Sequence, residues 1–140
     1  MDEHSPAAPR LTADGLASVT ERHLATLSTL GPTGLLHVVA VGFTWHGGVV
    51  RVITREGSQK VRNIERDPLA TVAQVAGPQW LSFAGHARVV RDADSVALAV
   101  DLYARRYRQP QPNPQRVAIE LVPSRIMGSR GLVVTGSALR

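Results

Sequence analysis

The sequence predicts a mainly β fold: an antiparallel barrel of about six strands, closed at its ends by two or three short helices. Apolar segments of strand length recur along the chain, separated by the turn signals Gly31-Pro32-Thr33-Gly34, Gly47-Gly48 and Gly77-Pro78. Helical spacing with a plausible cap occurs only over short stretches. No Gly-x-Gly-x-x-Gly follows a strand, so a doubly wound nucleotide-binding sheet has no support.

Residues 1–10 carry Pro6 and Pro9 among small polar neighbours and read as a flexible arm, leaving 11–140 as one domain. Thr12 is placed to cap a first helix running to about Arg22, with Leu11 and Leu16 at staple spacing. His23 to Leu30 reads as the first strand. Leu35 to Trp45 then reads as one long strand, apolar on both faces except at His37, and so buried on both sides. Gly47-Gly48 turns it into a partner strand ending at Thr54.

Ser58 is placed to cap a helix from Gln59 to Arg66, which Asp67-Pro68 terminates because a residue before proline avoids helical backbone. Leu69 to Ala76 and Gln79 to about Arg91 read as strands, with Gly85 marking a bulge or sharp bend. Asp92 or Asp94 caps a helix to about Tyr107, with Val96, Val100, Tyr103 and Tyr107 as its stripe. Three prolines within Arg108 to Pro114 force an extended connector before a last strand from Arg116 to Met127. Residues 128–140 show no readable pattern.

Composition narrows the function. The chain has no cysteine, which excludes disulfides, thiolate nucleophiles and thiolate metal sites. His4, His23, His46 and His86 show no metal-ligand spacing, so no metal is expected. No apolar run approaches the roughly 18 residues of a membrane span, and the N-terminus lacks the apolar core of a signal peptide. A cytoplasmic protein without membrane contact is expected. The net charge is +5, and Lys60 is the only lysine among 16 basic residues. Aromatic residues are 4% of the chain and the arginines are dispersed, which argues against nucleic acid and for a phosphorylated small molecule.

Three groups of residues carry chemistry. Thr54, Ser58, Gln59 and Lys60 bring hydroxyls, a helix N-terminus and a cation to one junction, a grammar suited to phosphate; Arg62 and Asn63 follow on the same helix. The same grammar fits an ordinary surface helix, and spacing alone leaves both open. Gln79-Trp80 places an indole after a turn, suited to stacking on a ligand ring or to plugging a barrel end. Arg105, Arg106 and Arg108 with Arg116 form a basic stretch suited to an acidic tail or to a solvated helix end. No Ser-His-Asp arrangement or Walker loop is present.

Together these residues resemble the split β-barrel flavin and deazaflavin oxidoreductases, the superfamily that includes pyridoxamine 5'-phosphate oxidase. The likeness rests on HVVAVGF (His37 to Phe43), VITREGSQKVRNIERDP (Val52 to Pro68), Trp80-Leu81 with Gly85, and YARRYRQPQPNPQR (Tyr103 to Arg116). It is greatest to members that use coenzyme F420, the F420-dependent biliverdin reductases among them.

The resemblance implies a six-stranded split barrel and a homodimer with cofactor sites at the interface. It implies that His37, Val38 and Val39 lie along the deazaflavin ring, and that Thr54, Ser58, Gln59, Lys60 and Asn63 hold the phosphate and ribityl chain. Gln79 and Trp80 would come from a facing strand, of the same or the second subunit. Arg55, Arg62 and Arg106 would meet the polyglutamate tail of F420, and Arg125 a substrate carboxylate. The implied reaction is hydride transfer from reduced F420 to a conjugated small-molecule acceptor, biliverdin being one candidate. An FMN-binding oxidase and a non-catalytic F420 or tetrapyrrole carrier are the alternatives.

Overall fold

A computed structural model describes residues 8–134; residues 1–7 of the expected arm and residues 135–140 of the tail lie outside the described residues. In chain order the elements are α1 (Ala13–Thr20), β1 (Ala25–Leu30), β2 (Leu36–Val41), β3 (Thr44–His46), β4 (Val49–Arg55), α2 (Gln59–Arg66), β5 (Leu69–Ala76), β6 (Gln79–Val90), α3 (Ala93–Arg106) and β7 (Arg116–Gly128). The strands form one antiparallel sheet in the order β2-β1-β5-β6-β7-β4-β3.

That is seven strands among the described residues rather than six, because Leu35 to Trp45 is not one strand. It divides at Gly42-Phe43 into β2 and β3, which are the two opposite edges of the sheet. Two residues span at most about 11 Å between Val41 and Thr44, so the edges must approach one another and the sheet must curl into a barrel. Gly42 permits the crossing: a Cβ there would lie 3.0 Å from ring atoms of both Tyr103 and Tyr107.

The barrel interior is filled by Leu27, Phe43, Val52, Val72, Phe83, Ile119, Leu121 and Ile126. Phe83 packs against Phe43 and Trp45 at ring separations of 5.5 and 5.3 Å. Trp45, not Trp80, thus joins the core. Helix α1 caps one end, with the Thr12 hydroxyl accepting from the Gly15 amide as expected of its N-cap. Buried Leu132, in the segment without a readable pattern, holds that end: its carbonyl accepts from the Thr12 amide.

Helix α3 covers the outside of β4 and β7, where Ala99 meets Val90 and Ala118. Its buried positions are Ala99, Leu102 and Arg106; the expected stripe of Val96, Val100, Tyr103 and Tyr107 is only half-buried. The register of β6 on β7 shifts at Ala84/Gly85, the bulge that Gly85 announces. A Cβ on Gly85 would sit 2.7 Å from the Val122 carbonyl oxygen and 3.1 Å from the Ser124 amide, both backbone atoms that cannot turn away. Gly85→Val is therefore expected to lower stability by about 3 kcal/mol, measured by urea unfolding.

The remaining outer face of the sheet, across β2, β1, β5, β6 and β7, has no covering element among the described residues. Its cross-strand rows are Val38–Ser28–Thr71–Ala84–Arg125 and Ala40–Thr26–Ala73–Ser82–Met127. Leu36, Val38, Leu69, Val75, Trp80 and Val122 stand exposed on or around these rows. The expectation that Leu35 to Trp45 is buried on both faces therefore fails for β2, whose Val38 is 55% exposed.

Candidate functional site

The β4–α2 junction brings the predicted phosphate-binding residues together. Gly57, at φ 78°, turns the chain from β4 into α2. Ser58 occupies the N-cap position in extended backbone but makes no side-chain cap bond; its hydroxyl instead lies 3.3 Å from that of Thr54. The first amides of α2 are thus left without an intrahelical or side-chain acceptor. The first turn holds no acid, and Lys60 and Arg62 stand near its start. Positive charge at a helix N-terminus is unfavourable unless an anion is present. Lys60 is half-buried, and burial first, then the charge of Arg55, holds its ammonium below the ordinary lysine range. Two hydroxyls, open amides and a half-desolvated lysine are groups whose chemistry suits an anion.

The next layer of α2 is internal. Asn63 is fully buried: it donates to the Thr29 hydroxyl at 3.0 Å and accepts from Gln59 at 2.7 Å and Arg66 at 3.2 Å. Its amide locks α2 onto β1 at the floor of the groove described below and holds Gln59 in place. Arg66, which sequence reasoning passed over, also donates to the Leu30 carbonyl and ties α2 to the turn before β2. Arg62 is exposed and donates to Gln59 at 2.6 Å; Arg55 is exposed at the end of β4.

Beside this junction an open groove of about 290 Å³ is lined by Leu36, His37, Gln59 and Asn63 and by the turn from Gly31. His37 is half-buried, and its Nδ1 is buried with no hydrogen-bond partner among the described residues. A buried polar nitrogen without a partner is expensive, and its place beside the anion site suits a ligand ring that offers it a hydrogen bond. Val39 shares the inward side and packs on the core, whereas Val38 points to the outer sheet face.

Gln79 and Trp80 lie at the far end of β6. Helix α2 sits near Ala87, whose amide bonds to Pro68, so about 23 Å of strand separates Trp80 from α2 within one chain. Both residues are exposed, and Trp80 is on the uncovered sheet face. Arg125 occupies the same face opposite Ala84, half-buried, with Nη2 3.0 Å from the Met127 sulfur.

Arg106 does not join an entrance. The residue is only 9% exposed, and its guanidinium donates to the Glu21 carbonyl at 2.8 Å, the Phe43 carbonyl at 2.5 Å and Gln74 Oε1 at 2.6 Å. It lies over the rings of Phe43 and Tyr107, at 4.7 and 5.1 Å from their centroids. A side chain held this way is committed to the contact between α3, the end of α1 and β5, on the other side of the molecule from the exposed Arg55 and Arg62. The signal that would have found it is the spacing Ala99, Leu102, Arg106, one buried helix face.

Comparison with known proteins adds the following. Residues 11–129 match the family model described as pyridoxamine 5'-phosphate oxidase. An F420H(2)-dependent biliverdin reductase from Mycobacterium tuberculosis is 50% identical over 126 residues, covering 89% of this chain and 92% of the relative. A solved F420 reductase is 28% identical with a TM-score of 0.67, over 83% of this chain and 98% of its own. A conserved hypothetical protein from Mycobacterium tuberculosis, at 23% identity and a TM-score of 0.74, covers 89% of this chain and 88% of its own and shares the fold.

Proposed function

The chain belongs to the pyridoxamine 5'-phosphate oxidase family, and from that premise we propose that it is a coenzyme F420-dependent oxidoreductase that reduces a conjugated acceptor, biliverdin among the candidates. The observation that carries the cofactor assignment is the uncapped, acid-free N-terminus of α2 with Lys60, Thr54 and Ser58 around it. The 50% identity to a protein named for F420H(2) and biliverdin supports the same reading. FMN, the alternative, would use the same phosphate site, but it carries no acidic tail for exposed Arg55 and Arg62 to meet.

In this reading the α2 amides, the two hydroxyls and Lys60 hold the cofactor phosphate, and His37 and Val39 border its ring. Reduced F420, when bound there, would supply hydride to the acceptor, with the proton coming from solvent or from a nearby arginine or histidine. Asn63 and Arg66 keep α2 in register so that Lys60 faces the phosphate. Arg125 offers a charge to a substrate carboxylate.

The uncovered sheet face is where a second copy docks. Monomers rarely leave so many large apolar side chains exposed on one face, and a strand face of Ala, Ser and Thr flanked by Leu, Val and Trp packs well against its own copy. A dimer there brings the second subunit's Gln79 and Trp80 toward the groove, since one chain's own cannot reach. Residues 11–140 act as one domain in this reading, in the cytoplasm; no helix among the described residues is long and apolar enough to cross a membrane.

Val38→Asp is expected to weaken the dimer by about 3 kcal/mol, on the order of a hundredfold in dissociation constant, read by sedimentation equilibrium. The functional test is direct. Purified protein should change F420 fluorescence saturably and oxidise reduced F420 when biliverdin is added. Binding of FMN without F420, or F420 binding with no turnover of biliverdin or simpler enones, would reject the reading.

A further inference from the structure

A second pocket, open to solvent and of about 170 Å³, lies between α1, β3 and the end of α3, at the end of β1 opposite α2. Two features set it apart. Thr44 lines it, is 5% exposed, and its hydroxyl has no hydrogen-bond partner among the described residues. Arg106 also lines it, and the three acceptors on its guanidinium are two backbone carbonyls and an amide oxygen, all neutral. No carboxylate among the described residues pairs with it. A guanidinium has five N–H donors, so two remain after these three bonds. Neighbouring Arg105 is already neutralised by Asp101 at 2.6 Å. Burying an uncompensated charge beside an unsatisfied hydroxyl is costly unless a ligand satisfies both.

We propose that this cavity binds a small monocarboxylate. One carboxylate meets the remaining guanidinium donors and the Thr44 hydroxyl, matching a single buried charge. Val19, Trp45 and Leu102 give it an apolar wall that suits a short hydrocarbon tail; exposed Thr20 and Arg105 also line it, the first donating to the Leu16 carbonyl at 2.8 Å and the second paired with Asp101. The size agrees: cavities of about 150 Å³ hold a molecule as large as benzene. A phosphate dianion fits less well, because it brings more charge than one guanidinium offsets and has no apolar part. The site is independent of the F420 reading, since it shares no residue with the α2 junction.

The test uses the full chain and sodium butyrate as the probe. The protein has two tryptophans, so two indole N–H signals report in a ¹H–¹⁵N spectrum, assigned with Trp80→Phe. Butyrate should shift the Trp45 signal saturably and leave that of Trp80 in place, with sodium chloride at equal ionic strength giving no such curve. Thr44→Val should raise the half-saturating concentration about tenfold, the worth of one hydrogen bond to a charged group. It should not lower the melting temperature, because the hydroxyl it removes has no hydrogen-bond partner among the described residues. 1-Butanol, which keeps the tail and loses the charge, should bind at least about tenfold more weakly. Three results overturn the proposal: no saturation with butyrate, equal binding by Thr44→Val, or equal binding of 1-butanol. The last comparison needs no variant and stands even where Thr44→Val fails to fold.

Discussion

Arg106→Met is expected to lose about 3 kcal/mol of folding stability, read from urea unfolding at constant m-value. The substitution leaves the Glu21 carbonyl and Gln74 Oε1 without their donor, and the Phe43 carbonyl with only a 3.3 Å bond from Tyr107. Each buried acceptor left unpaired costs about 1–3 kcal/mol. Relief from desolvating a guanidinium offsets part of that sum, and methionine fills part of the volume. The guanidinium also ties three elements together: the end of α1, the β2–β3 crossing and β5. Gln74 extends the tie, donating to the Ser18 hydroxyl at 2.9 Å. Arg106→Lys should therefore fail to rescue, because an ammonium cannot present planar donors to three separated acceptors. A lysine variant as stable as wild type would mean that charge alone matters there.

This residue also shows where sequence reading stops. Arg105, Arg106, Tyr107 and Arg108 look alike in a linear string, and a surface patch is the ordinary meaning of such a run. Only the helical phase set by Ala99 and Leu102 turns Arg106 inward, and a buried face that includes arginine is not what a hydrophobic pattern seeks. The break between β2 and β3 was hidden for a similar reason. Alternation runs unbroken through His37 to Trp45, because both halves place every second residue in the same barrel interior. The crossing depends on Gly42 slipping beneath two tyrosine rings some 60 residues later, a contact that no local pattern encodes.

Elements with local causes were legible. The Gly-Pro and Gly-Gly turns, Asp67-Pro68 at the end of α2 and the Gly85 bulge all appear where the chain chemistry puts them. The residues proposed for the phosphate lie together at the β4–α2 junction, and they could be grouped from the sequence because they are neighbours in it. Their division of labour was not: Ser58 takes the cap position yet turns its hydroxyl to Thr54, and Asn63 is buried as a strut. Both outcomes depend on β1 and β4, which reach α2 only through the fold.

Lys60→Ala is expected to weaken F420 binding by about 2 kcal/mol, roughly thirtyfold, while leaving unfolding of the free protein nearly unchanged. The ammonium is half-buried and has no carboxylate beside it among the described residues, so the free protein gains little from its charge; a phosphate gains directly. The pH dependence gives a sharper signature. Burial, then Arg55, lowers the pKa of Lys60 in the folded chain. Below that lowered pKa the lysine is charged and binding is at full strength. As pH rises through it, the phosphate loses its cation, and affinity falls at a lower pH than an ordinary lysine would allow.

Stability of the free protein moves the other way. The unfolded chain keeps the proton to higher pH, so the contribution of Lys60 to folding improves between its folded and unfolded pKa values. Arg55→Ala removes the second cause of the shift and should move the fall in affinity to higher pH, though only in part, because burial remains the larger cause. Fluorescence titrations of F420 against wild type, Lys60→Ala and Arg55→Ala from neutral to alkaline pH measure all of this. A wild-type affinity that stays flat through the lysine range would place the phosphate elsewhere and remove Lys60 from the site.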